Sequence, residues 1–335
     1  SAWLVAPKIE IPVMALAWGV LLAGFLQLLF QIAPLATIKK IPVPKIDFQN
    51  PGVKKFFILI LPAIIAGGIA QINLLVDTIF ASLLITGSPT WLYVSDRLIQ
   101  FPMGIFAIAI GTVLLPSLSK AYAKKEIEAF TDQLAHAFKL IFFLAIPSLI
   151  GLILFASPLL ATIFQRGAFL WIDVQQASLS LIGFAFGLPF FMAMKVLVPA
   201  FFSRQNTKTP MLIALLSLLI NISLNYLLAF YFELGHLGLA IASSISAIVS
   251  VIILSMILKR EGLISFSGIL SAFSLKVLTA SVALIVFLLI FNQHFDFELF
   301  TQAQRLIYLC VAVIGSIMTY FGVSFLLGVR ATDFR

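Results

Sequence analysis

Residues 61–123 read LPAIIAGGIAQINLLVDTIFASLLITGSPTWLYVSDRLIQFPMGIFAIAIGTVLLPSLSKAYA. Two apolar runs fill this stretch, each as long as the roughly 20 residues that cross a bilayer, with only the short segment TGSPT between them. Asp96 and Arg97 stand near the head of the second run. An arginine at the middle of a bilayer costs about 2.5 kcal/mol or more even on insertion scales, so an arginine retained there marks a functional position by default.

The same pattern continues along the chain. Of 335 residues, 62% are hydrophobic and only 10% are charged, and the mean hydropathy of +1.15 lies far outside the range of water-soluble domains. About nine runs of spanning length are expected, near residues 11–33, 56–86, 91–118, 134–156, 174–202, 210–232, 236–258, 272–292 and 304–328. The sequence predicts an all-α, polytopic membrane protein.

The net charge of +8 does not point to nucleic acid, because the basic residues sort by loop. Lys39, Lys40, Lys45, Lys54 and Lys55 share one interval, and Lys120, Lys124, Lys125 and Lys139 share another. Arg204 with Lys208, Lys259 with Arg260 and Lys276, and Arg330 with Arg335 follow in alternate loops. The opposite loops hold only Lys8, Arg166 and Arg305, while Arg97 and Lys195 fall inside spans. By the positive-inside rule the basic loops and the C-terminus are cytoplasmic and the N-terminus is outside, and the charge reports attraction to anionic membrane lipids. The start, SAWLVAPKIE, carries no signal-peptide pattern, so a chain beginning outside reads as the later part of something longer.

Residues 34–54 are rich in Pro and Lys and read as a cytoplasmic linker after a single first span, residues 1–33. Residues 120–139 mix Lys with Glu126, Glu128 and Asp132 and are expected to form a short surface helix. Residues 259–274 separate the last two spans as a hairpin. Several spans carry helix-breaking residues: Pro62 with Gly67 and Gly68, Pro102 with Gly104 and Gly111, Pro147 with Gly151, and Gly183, Gly187 and Pro189. Such positions occur in transporters that rock between two states and in static bundles alike, and the Gly183–Gly187 pair suits close helix packing.

The ionisable and amide residues inside spans are the candidate sites. Helical spacing puts Tyr93, Arg97, Gln100 and Gly104 on one face and turns Asp96 elsewhere. Arg97 then either snorkels to headgroups or pairs with an acid, or it offers a planar fork to a phosphate or pyrophosphate. Asp77, with Gln71 and Asn73 in its own span, Asn221 and Asn225 in another and Ser243 in the next, either holds a hard cation such as sodium, carries a proton, or belongs to interhelical hydrogen-bond glue. Lys195 either snorkels toward Arg204 and Lys208 or lines the cavity. His136, His236 and His294 lie at loop margins without ligand spacing, and Cys310 is the single cysteine, so neither a metal site nor a disulfide is expected. A nucleophile with its base, or a carboxylate pair for hydrolysis, is not found, so enzymatic function has little support.

The stretch at 61–123, with KVLVPAFFSRQNTKTP at 195–210 and HLGLAIASSISA at 236–247, closely resembles the MurJ (MviN) family of lipid II flippases. The resemblance covers nearly the whole chain. It implies a fold of the multidrug/oligosaccharidyl-lipid/polysaccharide exporter type, in which two six-helix lobes face a cavity and two further helices follow. On that scheme the first span is the last helix of a first lobe otherwise missing here, residues 55–260 are the second lobe, and residues 265–330 are a hairpin that helps hold the lipid tail. The implied activity is movement of the undecaprenyl-pyrophosphate-linked peptidoglycan precursor across the bacterial inner membrane by alternating access. Arg97 falls on the family's cavity arginine; Gln100, Tyr93 and Lys195 join it as substrate-binding candidates, and Asp77, Asn221, Asn225 and Ser243 form the candidate cation site, with sodium or proton coupling and no other cofactor.

Two departures from the family stand out. Gln100 replaces a glutamate common in the family, so a charge pair between that position and Arg97 is not expected. The family's other cavity arginines belong to the first lobe, which implies that the missing helices lie in a longer precursor or a companion chain. Export of another lipid-linked oligosaccharide, cation-coupled drug export and a non-transporting lipid-binding scaffold are the alternatives.

Overall fold

A computed structural model describes residues 12–37, 50–264, 272–292, 300–330 and 333. Lys8, Lys39, Lys40, Lys45, His294, Arg335, most of the expected linker and part of the expected 259–274 hairpin lie outside the described residues. The chain divides into two compact units, residues 1–55 and 56–335. In the first, α1 (Pro12–Thr37) carries an apolar stretch, Ala17–Ile32, shorter than a full span.

The second unit is a helical bundle. After α2 (Pro51–Ser82), one span is built from α3 (Ser88–Pro102), a π turn (Met103–Ile108) and α4 (Ala109–Ala123). Then come α5 (Ile127–Leu154), the short α6 (Ala156–Phe164) and α7 (Trp171–Phe202). α8 (Lys208–Asn225) runs into a second π turn (Tyr226–Tyr231), followed by α9 (Gly235–Arg260), α10 (Ala272–Asn292) and α11 (Gln302–Leu326). Among the described residues, eight helical segments are long and apolar enough to cross a membrane, and all regular structure is helical. Helices close their own backbone hydrogen bonds, which hydrocarbon requires of any spanning segment.

The centre is α7, packed against α9, α3, α5 and α4. Its Leu181, Ala185, Leu188, Met192 and Val196 are fully buried, whereas α2 and α11 turn most of their large apolar side chains outward, as lipid-facing helices do. The close contact of α7 with α9 depends on small residues. A Cβ at Gly183 would stand 2.9 Å from the Ala240 Cβ, and one at Gly187 would stand 2.5 Å from the Ser244 Oγ. The Ser244 hydroxyl donates to the Gly183 carbonyl at 2.7 Å, a bond that only this approach permits. The small-residue pair in the sequence is therefore a packing contact.

The α10–α11 hairpin leans on α5 and α6 through an aromatic cluster, with the Tyr320 hydroxyl donating to the Phe143 carbonyl at 2.6 Å. After α7, half-buried Arg204 reaches Glu261 beyond α9 at 2.5 Å. Lys276 at the start of α10 donates to Gly328 past the end of α11 at 3.2 Å. These contacts tie the α7–α8 turn to the end of α9 and the start of α10 to the end of α11.

Three local features differ from the sequence expectation. Residues 120–139 form no separate surface helix: α4 runs to Ala123, Lys125 turns the chain with φ 61°, and α5 starts at Ile127. Phe130, Leu134 and Ala137 bury a helical stripe that belongs to the spanning core, leaving the charges on the other side. Pro62, Pro147 and Pro189 sit within continuous α-helix, and only Pro102 leads into a π turn. The second π turn has no breaker signal in the sequence, whereas α6 starts at Ala156-Ser157-Pro158, with proline in its first turn. Replacing Gly187 by Leu should overpack the α7–α9 contact and destabilise the bundle by about 1–3 kcal/mol, read as a lower thermal midpoint in detergent.

Candidate functional site

α3 presents two faces. Trp91, Val94, Ser95, Leu98 and Ile99 are buried, while Tyr93, Arg97 and Gln100 open onto a cavity of about 490 Å³ bordered by α2, α3, the first π turn, α7 and α9. The buried face fixes the helix's rotation. The Trp91 Nε1 donates to Asp173 at 2.8 Å, and the other Asp173 oxygen accepts the Leu170 backbone N–H at 2.7 Å. The Ser95 hydroxyl lies 2.7 Å from the carbonyls of Trp91 and Ala177. His236 packs edge-on to Trp91 and reaches Ser180 at 2.7 Å and Gln176 at 2.9 Å. The histidine expected at a loop margin is thus a buried strut with both ring nitrogens engaged.

On the cavity side the Arg97 guanidinium lies 4.7 Å from the Tyr93 ring centroid and donates from Nη1 to the Gln100 carbonyl at 3.4 Å. Among the described residues it forms no ion pair. Asp96, expected to point elsewhere, lines the same cavity: its i+4 neighbour Gln100 lies beside it and donates its amide nitrogen to the carboxylate. Lys195 lines the cavity from α7. Its backbone carbonyl is approached closely by α4, since a Cβ on Gly111 would stand 2.8 Å from it. The four substrate-binding candidates therefore meet in one cavity, together with Asp96.

The candidate cation residues also assemble. Asp77 of α2 accepts from Asn225 at 2.7 Å, from Ser243 at 3.3 Å and from Asn73 at 3.4 Å. Asn221 donates to Ser243 at 3.1 Å and accepts from Asn225 at 2.9 Å. Gln71 is exposed and stays outside this cluster. The carbonyl oxygens of Asn73 and Asn225 are buried with no hydrogen-bond partner. Unpaired buried acceptors beside a carboxylate fit a hard cation, which takes oxygen ligands, better than they fit simple interhelical glue. Asn225 is the last α-helical residue before the second π turn, as Gln100 lies shortly before the first. π turns recur at functional sites because the extra residue re-aims the side chains around it.

An all-helical bundle of span-length helices around a charged cavity is the fold class this chain shares with solved membrane proteins of the exporter type. A solved outward-facing multidrug resistance MATE family transporter of the MOP superfamily shares this fold, with TM-score 0.57 and 18% identity over 81% of this chain and 63% of that one. The family model described as lipid II flippase MurJ matches residues 1–308, and the chain belongs to that family. A probable lipid II flippase MurJ from Vibrio cholerae is 37% identical over 342 residues, covering 100% of this chain and 63% of the relative. One from Haemophilus influenzae is 38% identical, covering 98% of this chain and 66% of the relative. A solved lipid II flippase MurJ in an inward closed conformation gives TM-score 0.66 at 27% identity, over 87% of this chain and 58% of that one. The chain thus spans a little under two thirds of the length of the relatives it matches.

Cysteines placed at Tyr93 and Lys195 in a Cys310→Ser background should react with a membrane-impermeant thiol reagent, and a cysteine at buried Leu98 should stay protected. Labelling read by mass shift checks the cavity; equal protection at all three positions would contradict it.

Proposed function

We propose that this chain forms the second-lobe part of a flippase that moves lipid II, the undecaprenyl-pyrophosphate-linked peptidoglycan precursor, from the inner to the outer leaflet of the bacterial cytoplasmic membrane. The single observation that carries this reading is Arg97, a guanidinium facing a cavity with no salt bridge among the described residues. A planar fork in that setting suits a pyrophosphate, which can accept two parallel hydrogen bonds. Lys195 adds a point charge across the cavity, and Tyr93 and Gln100 hold the guanidinium in place. The names borne by the relatives agree with this substrate.

On this reading residues 1–33 are the last helix of a first lobe, residues 34–54 a linker, residues 55–260 the second lobe and residues 265–330 the hairpin for the lipid tail. The basic turns face the cytoplasm, with the chain's first helix entering from outside. Full alternating access also needs the part of the family's length that this chain does not span. The protein transports rather than catalyses bond chemistry. Asp77, Asn221, Asn225 and Ser243, with the unpaired amide oxygens, would hold a small hard cation such as sodium, whose charge would neutralise the Asp77 carboxylate.

Two measurements follow from this reading. Native mass spectrometry of the protein, gently extracted from its own membrane, should find lipid II bound to the wild type and reduced about tenfold or more in Arg97→Ala. Equal retention would instead favour another lipid-linked oligosaccharide or a non-transporting scaffold. Replacing choline chloride with sodium chloride should raise the wild type's thermal midpoint by a few degrees and leave Asp77→Asn unmoved; an equal response in both would return the cluster to the role of hydrogen-bond glue.

A further inference from the structure

We infer that Asp96 is a positioning residue for the anion site: through the Gln100 amide it sets the orientation and free valence of Arg97. This rests on the reading of Arg97 as an anion ligand. It is not obvious from charge, since a carboxylate beside an anion site should repel the ligand.

The argument is one of donors and acceptors. Asp96 and Arg97 are neighbours in sequence and so diverge on the helix, while Gln100 stands four residues after the first and three after the second, within reach of both. A carboxylate only accepts and a guanidinium only donates, whereas an amide does each from a different atom. One orientation of Gln100 satisfies both neighbours, with its nitrogen toward Asp96 and its carbonyl toward Arg97, and that is the orientation present. The amide therefore bridges Asp96 to Arg97 by orienting hydrogen bonds, with no direct salt bridge between the two. With one guanidinium edge held by Gln100 and one face laid on Tyr93, the remaining N–H groups are left for the cavity.

The test measures binding of undecaprenyl pyrophosphate to the purified full chain in detergent, by native mass spectrometry across a titration. Asp96→Ala should weaken binding about tenfold although it removes a negative charge from the cavity, and Asp96→Asn, which keeps an acceptor oxygen, should restore it to near wild type. Gln100→Ala should weaken binding to the same degree, and adding Asp96→Ala to it should change nothing further, since the two act through one contact. A purely structural role would not yield rescue by Asn, and the Gln100 variants carry the test if Asp96→Ala does not fold. Binding by Asp96→Ala as tight as or tighter than wild type, while Arg97→Ala still loses the probe, would overturn the positioning role and leave the anion site standing. Failure of Asp96→Asn to restore binding would overturn it too. Undiminished binding by Arg97→Ala would remove the anion reading itself, and this inference with it.

Discussion

A guanidinium inside a membrane-spanning helix has to meet lipid headgroups, an acid or a polar cavity, because hydrocarbon offers it nothing. Arg97 meets a cavity. Around Arg97 the second unit supplies a helix whose rotation is fixed, neighbours in Tyr93 and Gln100 that hold the guanidinium, and walls that leave an open cavity. The buried face of α3 supplies the first through Trp91 on Asp173, Ser95 on the α7 backbone and His236 behind the ring. Such contacts are stringent in a low-dielectric interior, where an unsatisfied polar group costs more than a satisfied one gains.

The central helix α7 links the two charged parts of the site. It carries Lys195 into the cavity, accepts the α3 contacts at Asp173 and Ala177, and packs without side-chain bulk against α9 at Gly183 and Gly187. α9 in turn delivers Ser243 to Asp77, where α2 and α8 converge. The Asp77 cluster and the Arg97 face border one cavity from opposite chemical requirements, one rich in oxygen acceptors and the other in N–H donors.

Much of this was legible in the sequence. The spans were readable because about 20 consecutive apolar residues have few other uses, and the predicted run at 174–202 matches α7, Trp171–Phe202, to within a few residues at its start. Asp77, Asn221, Asn225 and Ser243 stood out because amides, hydroxyls and acids are rare in such runs, and the fold brings all four together. Other features were hidden for physical reasons. Asp96 diverges from Arg97 on a helical wheel, yet the i, i+4 spacing sets it beside Gln100 at the rim of the same cavity. The pairing of Trp91 with Asp173 crosses 82 residues and follows no local period. The charges at 120–139 masked a buried stripe through Phe130 and Leu134 that extends the spanning helix α5. The π turns leave no signature where, as at Tyr226–Tyr231, no proline precedes them.

The most direct measurement is an experimental structure of the protein in a lipid nanodisc with undecaprenyl pyrophosphate added. The account requires diphosphate density in the cavity, with a phosphate oxygen about 2.7–2.9 Å from an Arg97 guanidinium nitrogen, and Gln100 still bridging Asp96 to Arg97. Headgroup density bound elsewhere, with Arg97 turned to the membrane surface or paired to an acid, would contradict it.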